Sequence, residues 1–339
     1  MIEVFLCTSY AQKKLKSYIY TNTHIILQSS ILNMSTDDED KEVSVCANCG
    51  KGEEESDKLK SCTACMMVKY CSRDCQIAHR PQHKKECRRR AAELHDEEVF
   101  KQPPPKDDCP ICFLLLPRLR TGWQNQSCCG KVICSGCIHA PLYDDQGNIV
   151  AEKKCPFCRV PIPSSVEETI ELERKRVEAG DAQAMYNIGC DYRDGTNGYP
   201  RDYTKALELW YRSGELGHAA SYCNIGYSYS NGRGVERDIK KAKHYYELAA
   251  MSGDSMARNN LGANEVRAGN MERALKHYMI AVRGGESKSL EQIQKMYKLG
   301  HATKEYYTAA LQAYQEYLSE IKSDQRDKAA ADYEGDRYY

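Results

Sequence analysis

A chain of 339 residues has room for two or three domains, and its 48 lysines and arginines equal its 48 aspartates and glutamates. That balance excludes a polycationic chain built for nucleic acid or anionic lipid, and no apolar run reaches the roughly 20 residues of a membrane helix. Composition leaves eighteen cysteines to explain, seven between Cys46 and Cys87 and eight between Cys109 and Cys158.

Cysteine pairs with two residues between them, in dense blocks, are zinc knuckles in reducing compartments, whereas a secreted disulfide framework calls for a signal peptide. Residues 1–33 carry only two short apolar pieces, "IEVFLC" and "HIILQSSIL", and no apolar stretch followed by a small-residue cleavage site. An intracellular chain, in cytoplasm or nucleus, is the expectation. Met34 opens the acidic "MSTDDEDKEV", so residues 1–45 are expected to be disordered, with Met34 the initiator and the preceding residues an upstream extension of the reading frame.

The first block runs Cys46-x-x-Cys49, Cys62-x-x-Cys65, Cys71-x-x-x-Cys75, then His79, His83 and Cys87. Thiolate and imidazole are zinc's preferred ligands, four to a structural site. The last four positions are each four apart in "CQIAHRPQHKKEC", which on a helix repeats along one face. Pro81 predicts a kink or a helix start there.

With "YCSRDCQ" and "HKKEC", residues 46–87 resemble the MYND zinc finger. The resemblance implies interleaved sites: Cys46, Cys49, Cys71 and Cys75 on one zinc, and Cys62, Cys65, His83 and Cys87 on the other. It also implies docking of proline-containing peptides. His79 stands where many members carry tryptophan and is read as a packing residue. The basic run Lys84, Lys85 and Arg88–Arg90 is read as an offset for thiolate charge.

Residues 88–108 read as a basic and proline-rich linker. Four pairs follow over 109–160: Cys109/Cys112, Cys128/Cys129, Cys134/Cys137 and Cys155/Cys158. This spacing resembles the RING cross-brace, with Lys131 where the family's histidine usually stands. With the first block taking seven cysteines and one histidine, both adjacent cysteines are needed to complete eight ligands here. The count favours Cys109, Cys112, Cys134 and Cys137 on one zinc, and Cys128, Cys129, Cys155 and Cys158 on the other. His139 is the alternative ligand should one of the adjacent pair be free. Four structural zinc ions are expected in all, supplying folding energy that such short modules cannot draw from an apolar core. If the module acts in ubiquitin transfer, the resemblance implies that a conjugating enzyme would rest on Ile111, on Leu142 or Tyr143, and on Pro156, with Arg159 as the cation that holds the loaded enzyme.

Beyond residue 160 the chain changes character. Gly180, Gly217 and Gly253 each precede a second glycine by nine residues, namely Gly189, Gly226 and Gly262; Ala206, Ala242 and Ala274 each precede Trp210, Tyr246 or Tyr278 by four. A period of 36–37 residues predicts stacked helical hairpins. Ala184, Ser221 and Ala257 allow close helix approach, Tyr192 and Tyr229 fill between hairpins, and "NGRGVERD" at 231–238 is the turn within a repeat. These residues resemble Sel-like repeats, relatives of the tetratricopeptide repeat. The array is placed at 167–322, with 286–322 a degenerate capping hairpin, and 323–339 is expected as a disordered tail.

The fold class expected is therefore multidomain: two small zinc-stabilised cross-brace modules followed by an all-α helical-hairpin solenoid. The function expected is a non-enzymatic protein-interaction scaffold, with a ubiquitin ligase as the second reading. The expected partners are proteins, a ubiquitin-conjugating enzyme among them under the second reading; nucleic acid and membrane are not. A methyltransferase is disfavoured because repeats account for the residues where a catalytic domain would lie.

Overall fold

The structure is a computed structural model and describes residues 44–52, 58–118, 120–142 and 153–332. The expectations for Met34, Tyr143 and residues 333–339 lie outside the described residues. The chain is a cysteine-rich, zinc-type region followed by a helical repeat solenoid. It forms two compact units, one ending at Ala92 and the other beginning at Glu93.

In the first unit, β1 (Lys60–Ser61) and β2 (Lys69–Tyr70) pair antiparallel, and α1 (Arg73–Val99) follows. Helix α1 runs through Pro81, so the helix start expected there as one of two outcomes does not occur. Proline removes one donor, and the carbonyl it strands is that of Ile77, four residues back. Ile77 and Pro81 are both exposed, so water can take that carbonyl.

The second unit opens with the end of α1. Val99 is buried, and its carbonyl accepts from the guanidinium of the equally buried Arg258. The Phe100 ring packs 4.6 Å from that of His277, beneath Arg273, which pairs with Asp96. Lys106 reaches the carbonyl of Arg283 at 2.9 Å and lies over the Tyr317 ring. Residues 96–106, within the stretch expected as a linker, are thus held to the repeats by specific contacts. The second cysteine module follows, with β3 (Trp123–Asn125) antiparallel to β4 (Val132–Cys134) and the short α2 (Ser135–His139).

After α3 (Val166–Glu178) come the hairpins α4/α5 (Ala182–Asp194, Tyr203–Glu215), α6/α7 (Ala219–Asn231, Ile239–Met251), α8/α9 (Ser255–Arg267, Met271–Arg283) and α10/α11 (Ser287–Lys298, Lys304–Ile321). Side chains of Asp181, Asp202, Asp238 and Asp254 cap α4, α5, α7 and α8 by accepting backbone N–H bonds. The two sequence periods meet in space. A methyl group on Gly189 would lie 2.6 Å from the Trp210 ring, one on Gly226 2.7 Å from Tyr246, and one on Gly262 2.6 Å from Tyr278. Each repeat therefore locks an aromatic ring of its second helix against a glycine of its first.

Residues 324–332, expected within a disordered tail, form helix α12 (Asp324–Asp332), with Arg326 and Ala329 fully buried. Its sequence is polar, and its order comes from packing against α2 and Leu115.

Candidate metal centres

Four groups of side chains converge, each with its donor atoms within 4.8 Å of one another: Cys46, Cys49, Cys71 and Cys75; Cys62, Cys65, His83 and Cys87; Cys109, Cys112, Cys134 and Cys137; Cys128, Cys129, Cys155 and Cys158. The sequence spacing and its resemblances gather the same sixteen residues into the same groups.

The separations test what these groups can hold. A tetrahedral zinc with Zn–S near 2.3 Å puts its sulfurs about 3.8 Å apart. Cys49 and Cys71 sulfurs lie 3.5 Å apart, Cys62 and Cys87 3.7 Å, Cys112 and Cys134 3.7 Å, and Cys129 and Cys155 3.9 Å. Cys65 Sγ sits 3.3 Å from His83 Nε2, the shorter separation expected in direction because a Zn–N bond is shorter than Zn–S. A disulfide needs about 2.05 Å, so these cysteines are unbridged and are spaced as tetrahedral metal ligands would be.

The backbone that presents these donors is one turn used repeatedly. The residue after the second cysteine of a pair adopts left-handed φ: Gly50 at 76°, Met66 at 57°, Phe113 at 57° and Arg159 at 66°. In each case its N–H donates at 2.9 Å to the carbonyl of the pair's first cysteine, which is Cys46, Cys62, Cys109 or Cys155. This turn aims N–H groups at the sulfur of the first cysteine. Burial opposes ionisation of Cys46, yet N–H groups of Cys49, Cys71 and Asn48 bring its thiol down to about 6. Burial likewise opposes ionisation of Cys62, and the His83 ring with the N–H groups of Cys65 and Ala64 brings it to about 6.

The same turn accounts for the adjacent cysteines. Gly130 has φ 73°, its N–H donates to the Gln126 carbonyl at 2.7 Å, and the Gln126 N–H returns to Lys131 at 2.9 Å. Gln126 occupies the place of a first cysteine and Cys129 that of the second, while Cys128 supplies the other sulfur from the third position. Cys128 Sγ lies 3.4 Å from Cys158 Sγ, so both members of the pair face one centre. Lys131, in the expected histidine place, holds its ammonium 5.7 Å over the Phe157 ring.

Neither spare histidine joins a group. The His79 ring is stacked 5.6 Å from that of His83, and its Nδ1 is hydrogen-bonded to the buried Tyr70 hydroxyl at 3.1 Å. It thus orients a ligand ring. His139 is buried, with Nε2 3.0 Å from an Asp332 carboxylate oxygen.

Of the residues expected to meet a conjugating enzyme, Ile111 and Pro156 are half-buried and Arg159 is exposed at the foot of its turn. Leu142 falls in a short 3-10 turn, Ala140–Leu142, and its side chain is outside the described residues. Phe113 and Phe157, which the sequence reading passed over, are exposed on opposite sides of the last cysteine of their knuckles, Phe113 after Cys112 and Phe157 before Cys158. The missed signal was an aromatic residue beside the last cysteine of each Cys-Pro-x-Cys pair.

The module is anchored to the repeats by Arg118. Its guanidinium pairs with the buried Glu286 and donates to Ser255 Oγ at 2.8 Å, while its backbone N–H donates to the Tyr317 hydroxyl at 2.7 Å. No helix among the described residues is long and apolar enough to cross a membrane.

Comparison with known proteins bears on both regions. Residues 46–87 match the MYND finger family, and residues 182–218 and 219–254 each match the Sel1 repeat. The chain is similar to the ERAD-associated E3 ubiquitin-protein ligase component HRD3B of Arabidopsis thaliana, 31% identical over 112 residues, 33% of this chain and 17% of that protein. It is also similar to the E3 ubiquitin-protein ligase GW2 of Oryza sativa subsp. indica, 32% identical over 83 residues, 22% of this chain and 18% of that one. The chain thus spans less than a fifth of the length of these relatives. Among solved structures it is similar to a Sel1 repeat protein from Oxalobacter formigenes, at 27% identity and a TM-score of 0.40, covering 51% of this chain and 67% of that one. The chain therefore carries a MYND finger and Sel1 repeats.

Proposed function

We propose that the chain is a zinc-dependent protein-interaction scaffold, in which a MYND finger, a RING-like module and a Sel1-type solenoid each offer a surface to a protein partner. The observation that carries this reading is the closure of the metal groups. Each supplies four sulfur or nitrogen donors, which fill a tetrahedral zinc and leave no place for water or substrate. Four structural ions are proposed, and they would hold donor loops in shape and take no part in chemistry. A reducing compartment, cytoplasm or nucleus, is proposed because fifteen of the sixteen ligands are thiols that must stay unoxidised.

A second reading is a ubiquitin ligase whose repeats and MYND finger recruit substrate. It is favoured by the placement of Ile111, Pro156 and Arg159 on the two outer knuckles of the RING-like module, and by the ligase names of the relatives. An autoubiquitination assay across a panel of conjugating enzymes separates the two. Absence of transfer in every case supports the scaffold; transfer that disappears in both Ile111→Ala and Arg159→Ala overturns it.

A further inference from the structure

The third metal group is the most buried of the four, with Cys109, Cys134 and Cys137 all inside and Cys112 half-buried. Four thiolates around a zinc ion carry a formal charge of about −2, and burying that charge is costly unless cations or N–H donors offset it. The RING-like module supplies backbone amides. The cation comes from the far end of the chain.

Arg326 of α12 is wholly buried. Its Nη2 donates to Cys112 Sγ at 3.8 Å and to the Leu114 carbonyl at 3.4 Å; its Nη1 donates to the carbonyls of Leu115 at 2.8 Å and Ile321 at 2.6 Å. Among the described residues no carboxylate pairs with it, so the nearest anions available to this guanidinium are the ligand thiolates. The backbone is shaped for the approach. A methyl group on Gly136, between ligands Cys134 and Cys137, would lie 2.8 Å from the Arg326 backbone nitrogen and 2.9 Å from the Gln325 carbonyl carbon. Only glycine lets α12 come this near. At the other end of the contact, Asp332 meets the buried His139.

We propose that helix α12 is an outer part of the third metal centre: Arg326 holds the Cys112 ligand and offsets the charge of the thiolate group, so metal binding and docking of the C-terminal helix stabilise each other. This rests on the reading that residues 109–158 bind metal. The relation is reciprocal. Without Arg326 the group keeps its four sulfurs but loses a buried counter-charge, and without metal nothing gathers the four sulfurs into one group beside the guanidinium.

Zinc release from the intact chain to a chromogenic chelator tests this, with the kinetic phase of the third centre identified as the one missing in Cys112→Ser. Loss of a partner that orients a metal ligand weakens binding by about 10–100-fold. Arg326→Met is expected to speed that phase by about this factor, Arg326→Lys to restore part of it, and Arg258→Met, which removes an equally buried arginine bonded to the Val99 carbonyl, to leave it unchanged. The wild-type chain supplies the reverse measurement: stripping metal is expected to raise amide exchange across residues 324–332. A folded Arg326→Met chain with unaltered release, or a helix α12 still protected after metal is stripped, overturns the proposal. Should Arg326→Met not fold, the wild-type exchange experiment decides. A wild-type chain with no metal on residues 109–158 sinks the metal reading itself, and this one with it.

Discussion

Placing a methyl group on Gly226 pits two effects of opposite sign against each other. Replacing a mid-helix glycine by alanine stabilises an exposed helix by about 1 kcal/mol, because the backbone has less freedom to lose. Here the new carbon would lie 2.7 Å and 2.9 Å from two ring atoms of Tyr246 and 3.1 Å from the Ala242 carbonyl oxygen. Tyr246 and Ala242 are both buried, and a backbone carbonyl cannot swing away. Forcing a methyl into such a core costs about 1–3 kcal/mol, which meets or exceeds the propensity gain, so Gly226→Ala should lose up to about 2 kcal/mol. Native-state hydrogen exchange of α6 and α7 amides reads this locally, which suits a multidomain chain. In a Tyr246→Leu background the ring overlap is gone and only the 3.1 Å carbonyl contact remains, so the same substitution should cost less than it does beside Tyr246. Stabilisation by Gly226→Ala with Tyr246 present would refute the ring-against-glycine account of the repeat.

Three other outcomes are expected. Cys128→Ser and Cys129→Ser should each lower zinc by one ion per chain in elemental analysis, whereas His139→Ala should leave the count unchanged. Arg118→Ala strips the partner from buried Glu286 and should cost about 3 kcal/mol, as breaking a buried ion pair does; protease cleavage near residue 118 should rise accordingly. Burial holds His277 down to about 3, helped by Arg258, Arg273 and Lys243 and opposed by Glu265. Its folded value thus lies below the ordinary 6.5, so the associated stability is complete above about pH 6.5 and falls as pH drops toward 3, by about 1.4 kcal/mol per unit. Exchange of α9 amides should follow that slope, and His277→Phe should flatten it.

Much of this was legible in the sequence because the signals are local or periodic. Cysteine spacing grouped the donors, since a knuckle is set by a few consecutive residues, and the glycine and aromatic periods marked the helix faces that meet. What spacing could not show was contact between distant segments. Nothing in "SDQRDKAAAD" distinguishes Arg326 from any surface arginine; its role exists only because Gly136 leaves room for it. Val99 and Phe100 likewise look like the end of a charged helix until Arg258 and His277 are seen beneath them. Pro81 misled for the converse reason: a general rule about proline gave way to an exposed helix face where water can replace the lost partner.

The turn from Gln126 to Lys131 keeps its shape through backbone hydrogen bonds, so the side chains hung on it are free to vary. Three of its places can aim a donor at the same point: the first, where other knuckles carry cysteine and this one carries glutamine, and the third and fourth, which are used here. A ligand can therefore migrate along the loop. Cysteine gained at position 126 before Cys128 is lost would carry the centre from one spelling to another without its ever holding fewer than four donors. Such a loop is degenerate in sequence yet fixed in space.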